Sequence, residues 1–401
     1  MAVNNLTYED SHAFLMDLYD QATGGSSINT VNTADFTTVA QAVLKTGYDN
    51  IISSLSQVLG RTIFSIRPYS ARFKGLEADA QRWGAITRKI NFVDGAIETD
   101  QRMNLVNGQS VDPWVVNKPE ALELNFYGST EYMRNVTIFR DQLDAAFTSE
   151  AQFNSFISGV MQNVADQLEQ IKEAESRGVL INLITGRVAQ ESVNTETGLV
   201  INVLQAYRDE TGTVLTPSTM YATANWPDFS RWFFGFLSTL QAKLANRTQM
   251  FHTNVTGKEV MRHTPAEMLK MYIYKPVLAK IDAEVKSTTF RPEYLKAIDW
   301  EGIDFWQTMD AGSEDAVTAT PVYLKNDGTL DTAGSAVGVD HVIGVVFDRD
   351  ACGITTESTW MEKSPFNQIG AYWNLTYHLR QRTWLDYSEQ SIILIADTTT
   401  P

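Results

Sequence analysis

Ala371-Tyr372-Trp373-Asn374-Leu375-Thr376-Tyr377-His378-Leu379-Arg380, followed beyond Asp386-Tyr387-Ser388-Glu389 by Ile392-Ile393-Leu394-Ile395-Ala396, decides how this chain is read. In the first stretch Ala371, Trp373, Leu375, Tyr377 and Leu379 point one way. Tyr372, Asn374, Thr376, His378 and Arg380 point the other, the period of two that a half-buried strand requires. The second stretch is apolar at every position, as a strand buried on both faces would be. Upstream, Val342 to Phe347 is another apolar run, closed by Asp348-Arg349-Asp350. A chain with its most apolar strand near its end has that end built into a sheet, which argues for a closed, shaped body.

Composition bounds the rest. With 401 residues there is length for two or three domains and a real core. A hydrophobic share of 43% and a charged share of 20% are those of a globular protein. The net charge of −16 argues against wrapping nucleic acid by phosphate neutralisation, though not against enclosing it. Cys352 is the single cysteine, so no intrachain disulfide and no cysteine-based zinc site is expected. No apolar run approaches the roughly 18 residues of a membrane span, and Met1-Ala2-Val3-Asn4-Asn5 has neither the basic region nor the apolar core of a signal peptide. The chain is expected to fold in a reducing cytoplasm.

Working outward from the C-terminal strands, residues 7–60 read as short amphipathic helices, one carrying Phe14, Leu15, Leu18 and Tyr19, another Tyr48, Ile51, Ile52 and Leu55. Ala85 to Val93 and Ala121 to Tyr127 read as strands, the second alternating Leu122, Leu124, Phe126 against Ala121, Glu123, Asn125. Between them lies a polar stretch with turn signals at Asp94-Gly95 and Asn107-Gly108 and with Trp114 beside Pro113. A two-stranded ribbon alone is marginal in water, so this one is expected to rest on something else, another subunit included. Phe153, Phe156, Ile157, Val160, Met161, Val164, Leu168 and Ile171 follow helical spacing and predict a long core-anchoring helix. Its expected limits are a capping pair at Ser149 and Gln152 and a terminal glycine at Gly178, with Glu173 and Arg177 paired on its outer face. A second helix is expected from Pro227-Asp228, with Phe229, Trp232, Phe233, Phe236 and Leu237 on one side, and Asp310 to Asp340 reads as a long loop or exposed hairpin turning at Asn326-Asp327-Gly328.

Signatures of chemistry are missing from the sequence. There is no dinucleotide or Walker-type glycine loop, and Gly257-Lys258 is followed by Glu259 in place of Ser or Thr. His12, His252, His263, His341 and His378 show no metal-ligand spacing. Asp348 and Asp350 share a strand face, but nothing suggests a third oxygen ligand. Asp299, Glu301 and Asp304 read as solvated charges around Trp300 and Phe305. Cys352 follows an apolar strand with no histidine near it in sequence and reads as a packed small residue. No catalytic, metal or cofactor site is expected.

The order of parts resembles the major capsid proteins of tailed bacteriophages with the Hong Kong-97-type fold. Two passages carry the likeness. Asn125-Phe126-Tyr127-Gly128, Val136-Thr137-Ile138, Gln142-Leu143 and Ala146-Phe147-Thr148-Ser149, leading into Phe153 and Phe156, is similar to that family's passage from extended loop to spine helix. Gly370-Ala371-Tyr372-Trp373-Asn374 with Tyr377-His378 is similar to the closing segment of capsid proteins from small short-tailed phages.

The resemblance implies an α+β fold in five parts: an N-terminal arm and helices over 1–60, an extended β-ribbon loop with flanking strands over 61–140, a peripheral domain with a long spine helix over 141–187, an axial domain over 188–350, and C-terminal strands over 351–401 returning to the peripheral domain. It further implies that Lys89, Phe92, Trp114, Leu124 and Phe126 on the extended loop touch a neighbouring subunit, and that Phe153, Phe156, Ile157, Val160, Val164 and Leu168 form the core of the spine helix. Implied partners are copies of the chain, in hexamers and pentamers of an icosahedral shell, together with scaffolding, portal and decoration proteins. The double-stranded DNA would be enclosed without strong specific binding and no membrane would be involved. The product would be a virion component assembled in the bacterial host cytoplasm. Some members of that family crosslink subunits through lysine; Lys89 and Lys118 lie in the right region, but no motif marks either. Two other readings stay open at this point: a cellular cargo-enclosing shell of the same fold, which contents and assembly size would separate, and a glycoside hydrolase using paired carboxylates, supported only by many acids and nine tryptophans.

Overall fold

The structure is a computed structural model, described over residues 73–77, 86–94, 100–111, 114, 116, 118–146, 150–194, 198–288 and 300–397. The helices expected over 7–60, the cap at Ser149 and the side chain of Asp299 lie outside the described residues, as do the side chains of Phe153, Phe156, Ile157 and Val160.

Strands β1 (Ile86–Phe92) and β2 (Ala121–Tyr127) form an antiparallel ribbon, with Phe92 opposite Ala121 and Ile86 opposite Tyr127. Gly128, at φ 101°, turns the chain into β3 (Thr130–Phe139). A short helix α1 (Arg140–Ala146) then leads to the long helix α2 (Glu150–Val193). This helix passes straight through the expected stop at Gly178, because a buried apolar stripe lies beyond it: Val179, Leu180, Leu183 and Ile184 are all in the core. A mid-helix glycine costs about 1 kcal/mol, which that burial exceeds several-fold. The Glu173–Arg177 pair is present at 3.0 Å, but it is not on an open outer face. Arg177 also donates to the Phe305 carbonyl and lies 3.8 Å from the centroid of the Phe305 ring.

Further along come β4 (Val200–Asn202), α3 (Val203–Thr211), α4 (Pro217–Met220), α5 (Trp226–Leu244), β5 (Leu269–Tyr274), α6 (Lys275–Thr288) and β6 (Trp300–Ile303). Asn202 caps α3 by accepting from the amides of Leu204 and Gln205, and Gly212 ends it in the left-handed conformation that glycine tolerates. Of the loop or exposed hairpin expected over 310–340, the structure has hairpin strands, and they are partly buried. The stretch holds β7 (Val317–Ala319), β8 (Val322–Leu324), β9 (Leu330–Thr332) and β10 (Val337–Val339), and it buries Val317, Tyr323, Leu324 and Val339. The expected turn at Asn326-Asp327-Gly328 does join β8 to β9. The chain closes with β11 (Val342–Asp348), β12 (Cys352–Lys363), β13 (Tyr372–Leu385) and β14 (Ser391–Ile395).

Two sheets organise the body. One has the order β12-β13-β3 and the other the order β4-β14-β11-β5-β6. The alternation holds from Tyr372 to Arg380, with Trp373, Leu375, Tyr377 and Leu379 buried and their neighbours half-exposed, but Ala371 lies ahead of the strand, exposed and at φ 51°. On the half-exposed face, directly opposed polar residues bond across the ladder. Thr137 donates to Asn374 (2.7 Å), Thr376 donates to Asn135 (2.8 Å), and Arg380 pairs with Glu131.

The five-stranded sheet is buried on both faces, as the Ile392–Ala396 run demands. Ile393 and Val345 face a core shared with α2, whereas Ile392, Leu394 and Val346 face a second core shared with α3, α5 and α6. A register shift between Val342 and Gly344 explains why Val342 and Val345, three apart, point into the same core.

Two strand pairings cross the expected boundaries. Strand β3 falls inside 61–140 but belongs with β13 and not with the ribbon. Strand β14 falls inside 351–401 but leaves β12 and β13 to join the five-stranded sheet of the 188–350 region. The reason is hydrophobic: a strand apolar on both faces fits only where both faces are covered.

Helix α2 meets the closing turn at Gly186. A methyl group there would sit 1.9 Å from the hydroxyl oxygen of buried Tyr387, which lies within reach of the carbonyls of Asn182 (3.1 Å) and Val322 (2.9 Å). Gly186→Ala is therefore expected to destabilise the fold by about 1–3 kcal/mol through overpacking. Gly178→Ala, with nothing within 4 Å, is expected to stabilise it by about 0.5–1 kcal/mol. Urea denaturation midpoints of the two variants should move in opposite directions.

Candidate assembly surface

The ribbon has two faces of opposite character. Opposed pairs Lys89–Leu124 and Asn91–Leu122 turn toward the body, while Ile90–Glu123 and Phe92–Ala121 turn away. On the inner side Leu122 is buried and Leu124 packs against the core shared with α2. On the outer side Ile90 is 53%, Phe92 69% and Tyr127 77% exposed. The connecting segment adds Met103 and Trp114, each 85% exposed, and Val116 at 76%. Such concentrated apolar exposure is not the scatter of single residues that any surface carries.

The inner face is fixed by ions. Lys89 Nζ reaches Asp386 (2.7 Å) and Glu389, both in the turn between β13 and β14. Glu389 also pairs with Arg262 at 3.2 Å, and Arg262 donates to the side chain of Asn91 (3.1 Å) and the carbonyl of Ser388 (3.1 Å). Asp94, just past β1, accepts from the amide of Met261 (2.8 Å) and from Arg247. Burial works against the Lys89 charge, but Asp386 and then Glu389 outweigh it, and its pKa ends above the ordinary lysine value. Burial likewise raises the Glu389 carboxyl, with Lys89 and Arg262 pulling the other way.

Behind this cluster stands Arg187 of α2, which has no solvent exposure. It donates to Ser391 Oγ (2.7 Å), Gln190 Oε1 (2.9 Å), Thr253 Oγ1 (3.0 Å) and the Glu389 carbonyl (2.8 Å). One guanidinium thus ties the long helix, the 248–264 loop and the start of the last strand together. Sequence reasoning missed it, because an arginine on a helix reads as solvated; the only signal was its place amid the apolar run Leu183, Ile184, Val188.

The expected contact residues divide between these faces. Phe92 and Trp114 stand in the open. Lys89 and Leu124 are engaged by their own chain and Phe126 is half-buried, because all three alternate onto the inner face. On α2, Val164 is fully buried and Leu168 half-buried.

The residues weighed for chemistry have structural surroundings. Asp348 is buried and accepts from Thr264 Oγ1 (2.8 Å) and the Asp350 amide (2.9 Å), while Asp350 is exposed. Cys352 is buried, which pushes its thiol pKa up. His378 stacks on Trp360, with centroids 4.9 Å apart. Asp304 pairs with Lys275 (2.9 Å). Among the described residues no group of three or more His, Cys, Asp or Glu is placed to hold a metal, and no helix is long and apolar enough to cross a membrane.

A two-stranded ribbon, a long helix packed against a three-stranded sheet, and a separate mixed sheet wrapped by helices together define a Hong Kong-97-type capsid fold. Solved structures agree. A chain of the capsid structure of Staphylococcus phage Andhra superposes with a TM-score of 0.55 at 8% identity, covering 83% of this chain and 85% of its own length. A chain of the native bacteriophage P68 structure, described as that of its head fibre and inner core protein, gives 0.50 at 10% identity over 81% and 84%.

The model of one family matches residues 15–395, and the chain belongs to that family, the Phi29-like phage major capsid proteins. No curated protein matches it in sequence. It is a phage major capsid protein, a structural subunit of an oligomeric shell.

Proposed function

We propose that the ribbon's outward face lies across a neighbouring copy in hexamers and pentamers of the shell, while its inner face stays locked to its own body. The observation that carries this is the division of one two-stranded ribbon into an ion-pinned inner face and an apolar outer one. Pinning fixes the angle at which the ribbon leaves the body, so little freedom is lost when a neighbour docks. In this reading α2 is the spine helix of a peripheral domain with β3, β12 and β13, and its core includes Phe153, Phe156, Ile157 and Val160 beside Val164 and Leu168. The five-stranded sheet with α3, α5 and α6 is the axial domain, and residues 1–60 are the arm.

The net charge of −16 suits a wall that encloses double-stranded DNA without gripping it. Assembly takes place in the host cytoplasm with scaffolding, portal and decoration partners, and the chain performs no catalysis.

A variant carrying Phe92→Ser and Trp114→Ser tests the proposal. Both side chains are largely exposed, so subunit stability should change by only about 0.5 kcal/mol. The yield of shells in a sedimentation gradient should fall roughly tenfold or more, as for loss of interface anchors. Wild-type yields would contradict it.

A further inference from the structure

Asn107 is the one asparagine in this sequence that precedes a glycine. It lies in the segment joining β1 to β2, where every residue from Arg102 to Val111 is exposed. The Gln109 amide donates to the Val106 carbonyl (3.0 Å) and closes a β-turn with Asn107 and Gly108 at its corners. Gly108 has φ 91°, which glycine adopts without strain, and a Cβ there would meet nothing within 4 Å. Neither the Asn107 side chain nor the Gly108 amide makes a hydrogen bond among the described residues. Asp94 and Asp327, which also precede glycines, differ in this respect. The Asp94 carboxylate is held by the Met261 amide (2.8 Å) and Arg247, and that of Asp327 by the amide (2.8 Å) and hydroxyl of Thr329.

Asparagine is a chemically labile side chain, and this setting suits its main route of loss, an intramolecular displacement. The Gly108 nitrogen attacks Cγ of Asn107. The new N–Cγ bond closes a five-membered succinimide, the Cγ–Nδ2 bond breaks, and ammonia leaves with the Gly108 amide proton. Water then opens the ring at either carbonyl, leaving aspartate or isoaspartate at position 107. The attack needs a nitrogen unshielded by a neighbouring Cβ and a side chain free to turn onto it, and both are present.

We propose that Asn107 is a site of spontaneous deamidation, and that this reaction limits how long a free subunit stays competent to assemble. The consequence follows from its surroundings. Leu105, Val106 and Val111 are exposed apolar neighbours on the surface proposed above to dock on another copy. A new carboxylate there would be buried without a cation, between chains whose net charge is already −16. Docking in turn protects the site, since a packed segment must open before the ring can close. The effect on assembly rests on the shell reading above; the reaction itself does not.

The test stores free subunits of the full-length chain beside shells isolated by sedimentation, at mildly alkaline pH, and follows both by peptide mass spectrometry. In free subunits position 107 should show the mass change of amide to carboxyl ahead of every other asparagine. In shells the change should be slower by roughly tenfold or more, because the docked segment must first open. Shell yield from stored subunits should fall in step with the modified fraction. Asn107→Asp should lower the yield of fresh protein roughly tenfold or more while keeping the wild-type unfolding midpoint. Asn107→Gln, which would have to close a slower six-membered ring, should hold its own fresh yield through storage. An intact amide at 107 in stored free subunits would overturn the site. Equal rates in shells and free subunits, or a normal yield for Asn107→Asp or for deamidated subunits, would overturn its effect on assembly and leave the shell reading standing. A fresh wild-type chain that forms no shells would overturn that reading and the effect together, while the free-subunit measurement still decides the reaction.

Discussion

Replacing Arg187 with alanine is expected to cost the subunit about 3–5 kcal/mol of stability, enough to leave little folded protein at physiological temperature if total stability is typical. The side chain is fully buried and bonds to four acceptors from three parts of the chain. Truncation would leave Gln190, Thr253, Ser391 and the Glu389 carbonyl short of a donor, and each such orphan costs about 1–3 kcal/mol when water cannot reach it. It would also open a cavity beneath the turn that holds Asp386 and Glu389. Because that turn is what Lys89 grips, the ribbon should loosen together with the core. Hydrogen exchange should show lost protection in β1 and β2 as well as in β14. A urea midpoint within about 1 kcal/mol of wild type would show that surrounding groups re-pair without Arg187, contrary to this account.

The second large effect is expected on assembly and not on folding. Deleting Gly95 to Pro113 removes most of the connecting segment, with Met103, Leu105, Val106 and Val111, all of them exposed. The anchors of the ribbon lie outside the deletion: Lys89, Asn91, Asp94, Leu122 and Leu124. Shortening a loop between paired strands costs little in closure entropy. The truncated subunit should therefore unfold within about 1 kcal/mol of wild type yet form few or no shells. If the deletion unfolds the subunit, the connecting segment is part of the folded core and the division between anchored and outward faces is wrong.

What could be read from the residues, and what could not, follows from the range of the interactions. Strand β13 was legible because its alternation is local: Trp373, Leu375, Tyr377 and Leu379 repeat every second residue, and all four are buried. The same holds for β2 and for the helix that begins at Trp226. The partner of the last strand was not legible. Ile392–Ala396 announces burial on both faces, but only long-range pairing decides that β14 joins β11 and β4 in place of β12. The end of α2 was misread because Gly178 looks like a stop, while the forces that override it come from packing against β7, β8 and β10, strands too short to show a period. At the candidate surface, Phe92 and Trp114 were found in the open. The intrachain ion pairs of Lys89 were not legible, because its partners, Asp386 and Glu389, are some 300 residues away in sequence.

We propose that this chain closes a shell with copies of itself, its ribbon docking outward from a pinned base. Sedimentation velocity of the purified chain at rising concentration, followed by negative-stain microscopy of the fast fraction, tests it most directly. Closed shells, or flat sheets of hexamers, are the expected result. A chain that stays a stable monomer at high concentration would contradict it.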